Sequence, residues 1–190
     1  MPPGGAEIDV AVLFADVRGS TALGESMGPR EFANLLNRFY RAATNGLAAH
    51  DGVIDKMVGD EVMALFIPGT AGQAYRHASV LAAEAVISAV GYGSGGEPWL
   101  PVGIGVHAGP AYVGKVGSGT VNDFTALGDT INVAARLQAE AVAGEIVISE
   151  SVYQEVATRY PDLKQRTVTL RGKNEPVSIR TIRTDSLRTA

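Results

Sequence analysis

The feature that most limits the fold is the run Ile8 to Ala15, IDVAVLFA, short, valine-rich and closed by Asp16. It reads as a buried strand. Gly19-Ser20-Thr21 then breaks the pattern, and Phe32, Leu35, Leu36, Phe39, Tyr40, Ala43 and Leu47 recur at helical spacing. That spacing predicts a long amphipathic helix from about Pro29 to His50, with Pro29 in its first turn and Asp51-Gly52 at its end. Two further apolar runs, Val53–Val58 and Glu61–Ile67, meet at Gly59-Asp60 and predict a β-hairpin closed by Pro68-Gly69. An alanine-rich helix over about 71–90 and a loop over 91–98 follow. Strands are expected over 99–107 and 111–116 with a turn at Gly109-Pro110 between them, and an extended piece over 121–127. A helix is expected from Asp129 to about Ala141, a strand over 146–148, a short helix capped by Ser149, and a last hairpin of 163–170 with 177–182.

Strand, helix, hairpin, helix, strand is the order of an α+β fold with a ferredoxin-like, palm-like antiparallel sheet and helices on one face. Residues 8–184 read as its one domain, 1–7 as a linker and 185–190 as a tail. In this arrangement the hairpin turn lies close to the end of the central first strand. Asp16, at that end, and Asp60, on the turn, would converge at one sheet edge with no other charge nearby to pair them. Each alone is most simply a turn-forming acid. Together they form a self-repelling pair unless cations bind. Mg²⁺ takes one or two protein carboxylates plus substrate phosphate oxygens, and two ions about 3.5–4 Å apart can activate an attacking oxygen and steady a triphosphate.

Two more groups fit such a substrate. Gly19, Ser20 and Thr21 form a loop that can aim backbone N–H groups at phosphate oxygens, although no Gly-Lys-Ser/Thr follows to make a P-loop. Asn132 and Arg136, four apart, share one helix face amid Ile131, Val133, Ala134 and Leu137. An Asn amide can bond a ribose oxygen and an Arg fork a phosphate; without further context they are also an ordinary surface pair.

The bulk numbers exclude several alternatives. A net charge of −4 is the wrong sign for a general nucleic-acid binder. The chain has no cysteine, which rules out disulfides, thiolate metal sites and a cysteine nucleophile. No apolar stretch is long enough for a membrane span, and the first residues lack the pattern of a signal peptide. A cytoplasmic location is expected, either alone or within a larger, membrane-attached protein.

The segments FADVRGST (14–21), KMVGDE (56–61) and TALGDTINVAAR (125–136) resemble, in order and spacing, the class III adenylate/guanylate cyclase catalytic domain over roughly residues 8–182. The resemblance implies that Asp16, Asp60 and the backbone carbonyl of Val17 bind two divalent ions, Mg²⁺ or Mn²⁺. It implies that Lys56 and Thr125 read the adenine ring, with Asp123 also facing the base. It makes Asn132 the ribose-orienting residue and Arg136 the one that stabilises the pentavalent phosphorus. Arg171 or Lys173 would hold the triphosphate. Guanylate cyclases have Glu at the Lys position and Cys near the Thr position, and this chain has neither. The implied activity is therefore an adenylate cyclase acting on ATP. No general base is required, so His50, His77 and His107 read as structural. In the family the metal aspartates come from one subunit and the Lys, Asn and Arg from the other, which implies a homodimer with both sites at its interface.

Three rival readings differ in what they need. Diguanylate cyclases share the acidic hairpin turn, but favour Gly-Gly-Asp/Glu-Glu-Phe, where this chain has Val58 and Val62. A guanylate cyclase would suit a Glu in place of Lys56. A silent, nucleotide-sensing or dimerising domain of the same fold would show losses at the metal, base or transition-state positions, and none is missing here.

Overall fold

The computed structural model describes residues 4–118, 121–170 and 176–183. The elements run β1 (Gly5–Val17), α1 (Ser20–Ser26), α2 (Pro29–Ala48), β2 (Val53–Val58), β3 (Glu61–Phe66), α3 (Pro68–Ala71), α4 (Tyr75–Ala89), β4 (Val102–Ser118), β5 (Val121–Leu127), α5 (Asp129–Glu140), β6 (Glu145–Ser149), α6 (Glu150–Val156), β7 (Arg166–Val168) and β8 (Val177–Arg183). The eight strands form one sheet in the order β2-β3-β1-β4-β6-β8-β7, with β5 paired to β4.

β1 lies between β3 and β4 and is buried on both faces. Ala11, Leu13, Ala15 and Val17 point into a core shared with Phe39, Ala43 and Leu47 of α2, Val80, Ala83 and Ile87 of α4, and Val152 of α6. Val10, Val12 and Phe14 point the other way, into a second core with Ala134 of α5. This explains the unbroken apolar run: a strand with no solvent face has no polar alternation. It also corrects the expectation of helices on one face. The sheet is mixed rather than wholly antiparallel, because β6 runs parallel to β4.

The expected turn at Gly109-Pro110 is absent. β4 runs straight through, with Pro110 opposite Asp9 of β1. Proline is tolerated because the far edge of β4 changes partners there. It pairs with β6 at 104–106 and with β5 from Tyr112 onward. On that unpaired edge the hydroxyl of Thr130 donates to the carbonyl of Pro110 at 2.6 Å, and that of Ser151 to Ala108 at 2.9 Å. β1 starts at Gly5, earlier than the apolar run suggests, because Gly5–Glu7 pair with Tyr112–Gly114. Ser149 is at the N-cap of α6, but its hydroxyl meets Ser151 instead of capping. The helix expected over 71–90 begins only at Tyr75, as α4, because Gly72, whose φ is +67°, ends the short α3 just before it.

One contact sets the position of α5. A Cβ on Gly105 of β4 would fall 2.1 Å from the Gln138 nitrogen, and one on Gly103 would fall 2.5 Å from the Arg18 side chain. Helix backbone therefore rests directly on strand backbone. Gly105→Ala forces this packing apart, at a cost of about 2–3 kcal/mol. That lowers the thermal midpoint by roughly 5–10 °C for a chain of this size. Gly69→Ala, whose Cβ meets nothing within 4 Å, leaves it unchanged in the same melt.

Candidate active site

The acidic end of the site follows from strand register. β1 pairs with β3 so that Asp16 stands opposite Glu61, and the Val17 amide donates to the Asp60 carbonyl at 3.2 Å. The turn between β2 and β3 is made by Gly59, whose φ of +62° favours glycine. Its carbonyl accepts from the Tyr40 hydroxyl of α2 at 2.5 Å, which pins the turn to the helix. The sequence thus brings Asp16, Val17 and Asp60 together, as expected.

Two neighbours were not expected. Arg18 pairs with Asp16 at 3.3 Å, and also donates to the Gln138 carbonyl of α5 at 2.8 Å. The acids therefore do have a cationic neighbour. Glu61 is the second, and it adds a third carboxylate. Burial raises the Asp16 carboxyl above its ordinary range, the charge of Asp60 raises it further, and Arg18 opposes both. Burial likewise raises Glu61, helped by Asp16 and Asp60.

Among the described residues no three His, Asp or Glu side chains form a complete cation cage. The donor set still suits hard cations that keep open positions for phosphate and water, since two carboxylates and a main-chain carbonyl are enough. Burial first, and mutual repulsion second, raise the carboxyls of Asp16 and Glu61.

The second group of residues lies on β2 and β5. The Lys56 ammonium is 3.7 Å from Asp123 and 3.8 Å from Asp55. The Thr125 hydroxyl donates to Asp55 Oδ2 at 2.9 Å. The side chain of Lys56 is half exposed, whereas Thr125 is buried. Asp55 was not among the expected site residues, and its signal in the sequence is faint, an acid beside Lys56 in a short strand.

Asn132 is exposed on α5 and Arg136 is half-buried one turn on. Neither makes a side-chain hydrogen bond or ion pair with the described residues. Gly19 has a left-handed φ of 68° and precedes α1, so Ser20 and Thr21 are the first turn of a short helix rather than a loop. Arg171 and Lys173 lie outside the described residues.

A family model described as the adenylate and guanylate cyclase catalytic domain matches residues 6–181. The chain belongs to that family. An adenylate cyclase of Anabaena cylindrica is 34% identical over 182 residues, covering 90% of this cyclase domain and 36% of that protein. The guanylyl cyclase Cya2 superposes with a TM-score of 0.85 at 28% identity, covering 94% of this chain and 93% of that one. The adenylyl cyclase CyaB from P. aeruginosa gives a TM-score of 0.79 at 27% identity, covering 94% and 95%. The chain spans about a third of the length of the curated relatives it matches, 36% and 32% for two of them. No helix among the described residues is long and apolar enough to cross a membrane.

The crowded carboxylates have a measurable consequence for the cyclase domain. A raised acid pKa means that the folded state holds the proton more tightly than the unfolded chain does. Stability then falls as pH rises from the ordinary glutamate value of 4.5 through the raised one. Glu61→Gln escapes that loss. In the absence of divalent metal its thermal midpoint lies above wild type at about pH 7–8, and the gap closes below about pH 4.

Proposed function

We propose that this domain is an adenylate cyclase that converts ATP to 3′,5′-cyclic AMP and pyrophosphate at a homodimer interface. The observation that carries the choice of purine is the hydrogen-bond polarity at Lys56 and Thr125. The Thr125 hydroxyl hydrogen is committed to Asp55, so its oxygen offers lone pairs to the base. Lys56 offers only donors. A donor beside an acceptor complements adenine, with its N1 acceptor and 6-amino donor. Guanine presents the reverse, an N1–H donor and a 6-oxo acceptor. Likeness to a guanylyl cyclase and to an adenylyl cyclase, both close in fold, leaves the base to be decided by these side chains.

In the reaction the ribose 3′-oxygen loses its proton and bonds to the α-phosphorus, and the bond from that phosphorus to the β-phosphate bridging oxygen breaks. Asp16, Asp60 and the Val17 carbonyl would hold divalent cations, which would supply charge neutralisation and a more acidic 3′-hydroxyl. The chain's own residues do the rest. Asn132 orients the ribose. Arg136 meets the charge that develops on the phosphorus oxygens, a role worth about 10²–10³ in kcat for one such donor. The first-turn amides of α1, at Ser20 and Thr21, follow Asp16 by four and five residues and are offered to the same triphosphate.

A dimer is supported by where apolar surface is left bare. Six large hydrophobic side chains are exposed among the described residues, and five of them lie on β2, β4 and β5: Met57, Val58, Tyr112, Phe124 and Leu127. Bare apolar side chains concentrated on the base-reading strands fit a partner subunit better than water. Asn132 and Arg136, without side-chain partners among the described residues, are consistent with a substrate reached across that interface.

The purified chain should make cyclic AMP from ATP with Mg²⁺ or Mn²⁺, resolved by chromatography, and much less cyclic GMP from GTP. Asp16→Ala and Asp60→Ala should each lower the rate by at least about 10²-fold. A dimeric chain that binds ATP but yields no cyclic nucleotide would instead be a sensing or dimerising domain.

A further inference from the structure

We infer that Asp55 is the positioning residue that fixes the purine preference of this site, by holding the Thr125 hydroxyl so that only its acceptor face meets the base. The inference rests on the reading of Lys56 and Thr125 as base contacts. Three independent observations carry it.

The first is backbone geometry. The pairing of β2 with β3 slips between Ile54, opposite Ala64, and Lys56, opposite Met63. Asp55 is the extra residue of a β-bulge. In a regular strand Asp55 and Lys56 would point to opposite faces. The bulge re-aims them so that both reach the side chains of β5.

The second is burial. The Asp55 side chain is only 1% exposed, against 42% for Lys56. Burial raises its carboxyl above the ordinary range. Asp55 Oδ1 is buried with no hydrogen-bond partner among the described residues. A half-satisfied buried carboxylate costs free energy, and a purely structural position would be better served by an apolar residue.

The third is chemistry. One oxygen, Oδ2, takes the Thr125 hydrogen at 2.9 Å and lies 3.8 Å from the Lys56 ammonium. A carboxylate can only accept. It therefore forces the hydroxyl to donate inward and leaves its lone pairs for a ligand amino group. A free threonine hydroxyl rotates and would serve a 6-amino or a 6-oxo purine alike.

The test is the isosteric variant Asp55→Asn, whose amide can donate to Thr125 and turn the hydroxyl hydrogen toward the base. The readouts are kcat and KM for ATP and for GTP, with a thermal melt as a check on folding. The expected result is a fall of about tenfold or more in the ATP-over-GTP ratio of kcat/KM, read mainly in KM. Adding Asp55→Asn to Thr125→Val should then change the ratio little, because the two residues act as one unit. If Thr125→Val shifts the ratio but Asp55→Asn lowers both substrates equally, the residue is merely structural and the inference is overturned. If neither Thr125→Val nor Lys56→Ala moves the ratio, the base-reading assignment itself fails, and this inference with it. Should Asp55→Asn not fold, the wild-type chain decides. ATP should bind about tenfold more tightly than inosine triphosphate, which carries a 6-oxo group in place of the 6-amino group and which a freely rotating Thr125 hydroxyl would accept equally, and Thr125→Val should narrow that difference. A 6-amino group that adds nothing in wild type overturns the inference.

Discussion

The site depends on the register between β1 and β3. That ladder places Asp16 opposite Glu61 and brings the Asp60 carbonyl onto the Val17 amide. Three carboxylates then share one end of the sheet, and their backbones cannot move apart without breaking that ladder. A one-residue slip would turn every side chain of β1 to the wrong face, exchanging the two cores it divides. The apolar burial on both faces of β1 therefore holds the acids together against their mutual repulsion. Arg18 relieves part of that repulsion, but Asp16 and Glu61 both stay above their ordinary range. Divalent cations bound there would offset the remaining repulsion.

The other half of the chemistry depends on a departure from regularity. A bulge in β2 puts Asp55 and Lys56 side by side, and β5 folds back to meet them with Thr125 and Asp123. The outcome is a fixed pattern of one donor and one acceptor. Purine choice in this account comes from the Lys56 donor and the direction of the Thr125 hydroxyl hydrogen, since adenine and guanine present opposite hydrogen-bonding patterns at N1 and the 6-position. The fold leaves that choice open, as its likeness to both a guanylyl and an adenylyl cyclase shows.

Much of this was legible in the sequence. The apolar run ending at Asp16, the Gly59-Asp60 turn and the spacing of Asn132 and Arg136 are local signals, and they placed the acids together and the amide and guanidinium on α5. What the sequence hid is what depends on partners distant in the chain. Pro110 read as a turn because proline normally ends a strand, yet it lies where β4 exchanges β6 for β5 along one edge. The second layer, with α5 on its own face, is set by Gly103 and Gly105, whose missing side chains signify nothing until Gln138 and Arg18 are seen against them. Arg18 read as one more residue of a motif, and its pairing with Asp16 was invisible. Asp55 escaped notice because a bulge cannot be seen in strand periodicity.

The central claim is that a complete site needs residues from two copies of this chain, with the acids from one and the α5 residues from the other. Mixing inactive Asp16→Ala and Asn132→Ala chains in equal amounts, with subunit exchange, tests it most directly. Random pairing makes half of the dimers mixed, and each mixed dimer has one intact site of two. The account predicts recovery of about a quarter of the wild-type cyclase rate. No recovery from a mixture shown to contain mixed dimers would contradict it, and would place all the catalytic residues on a single chain.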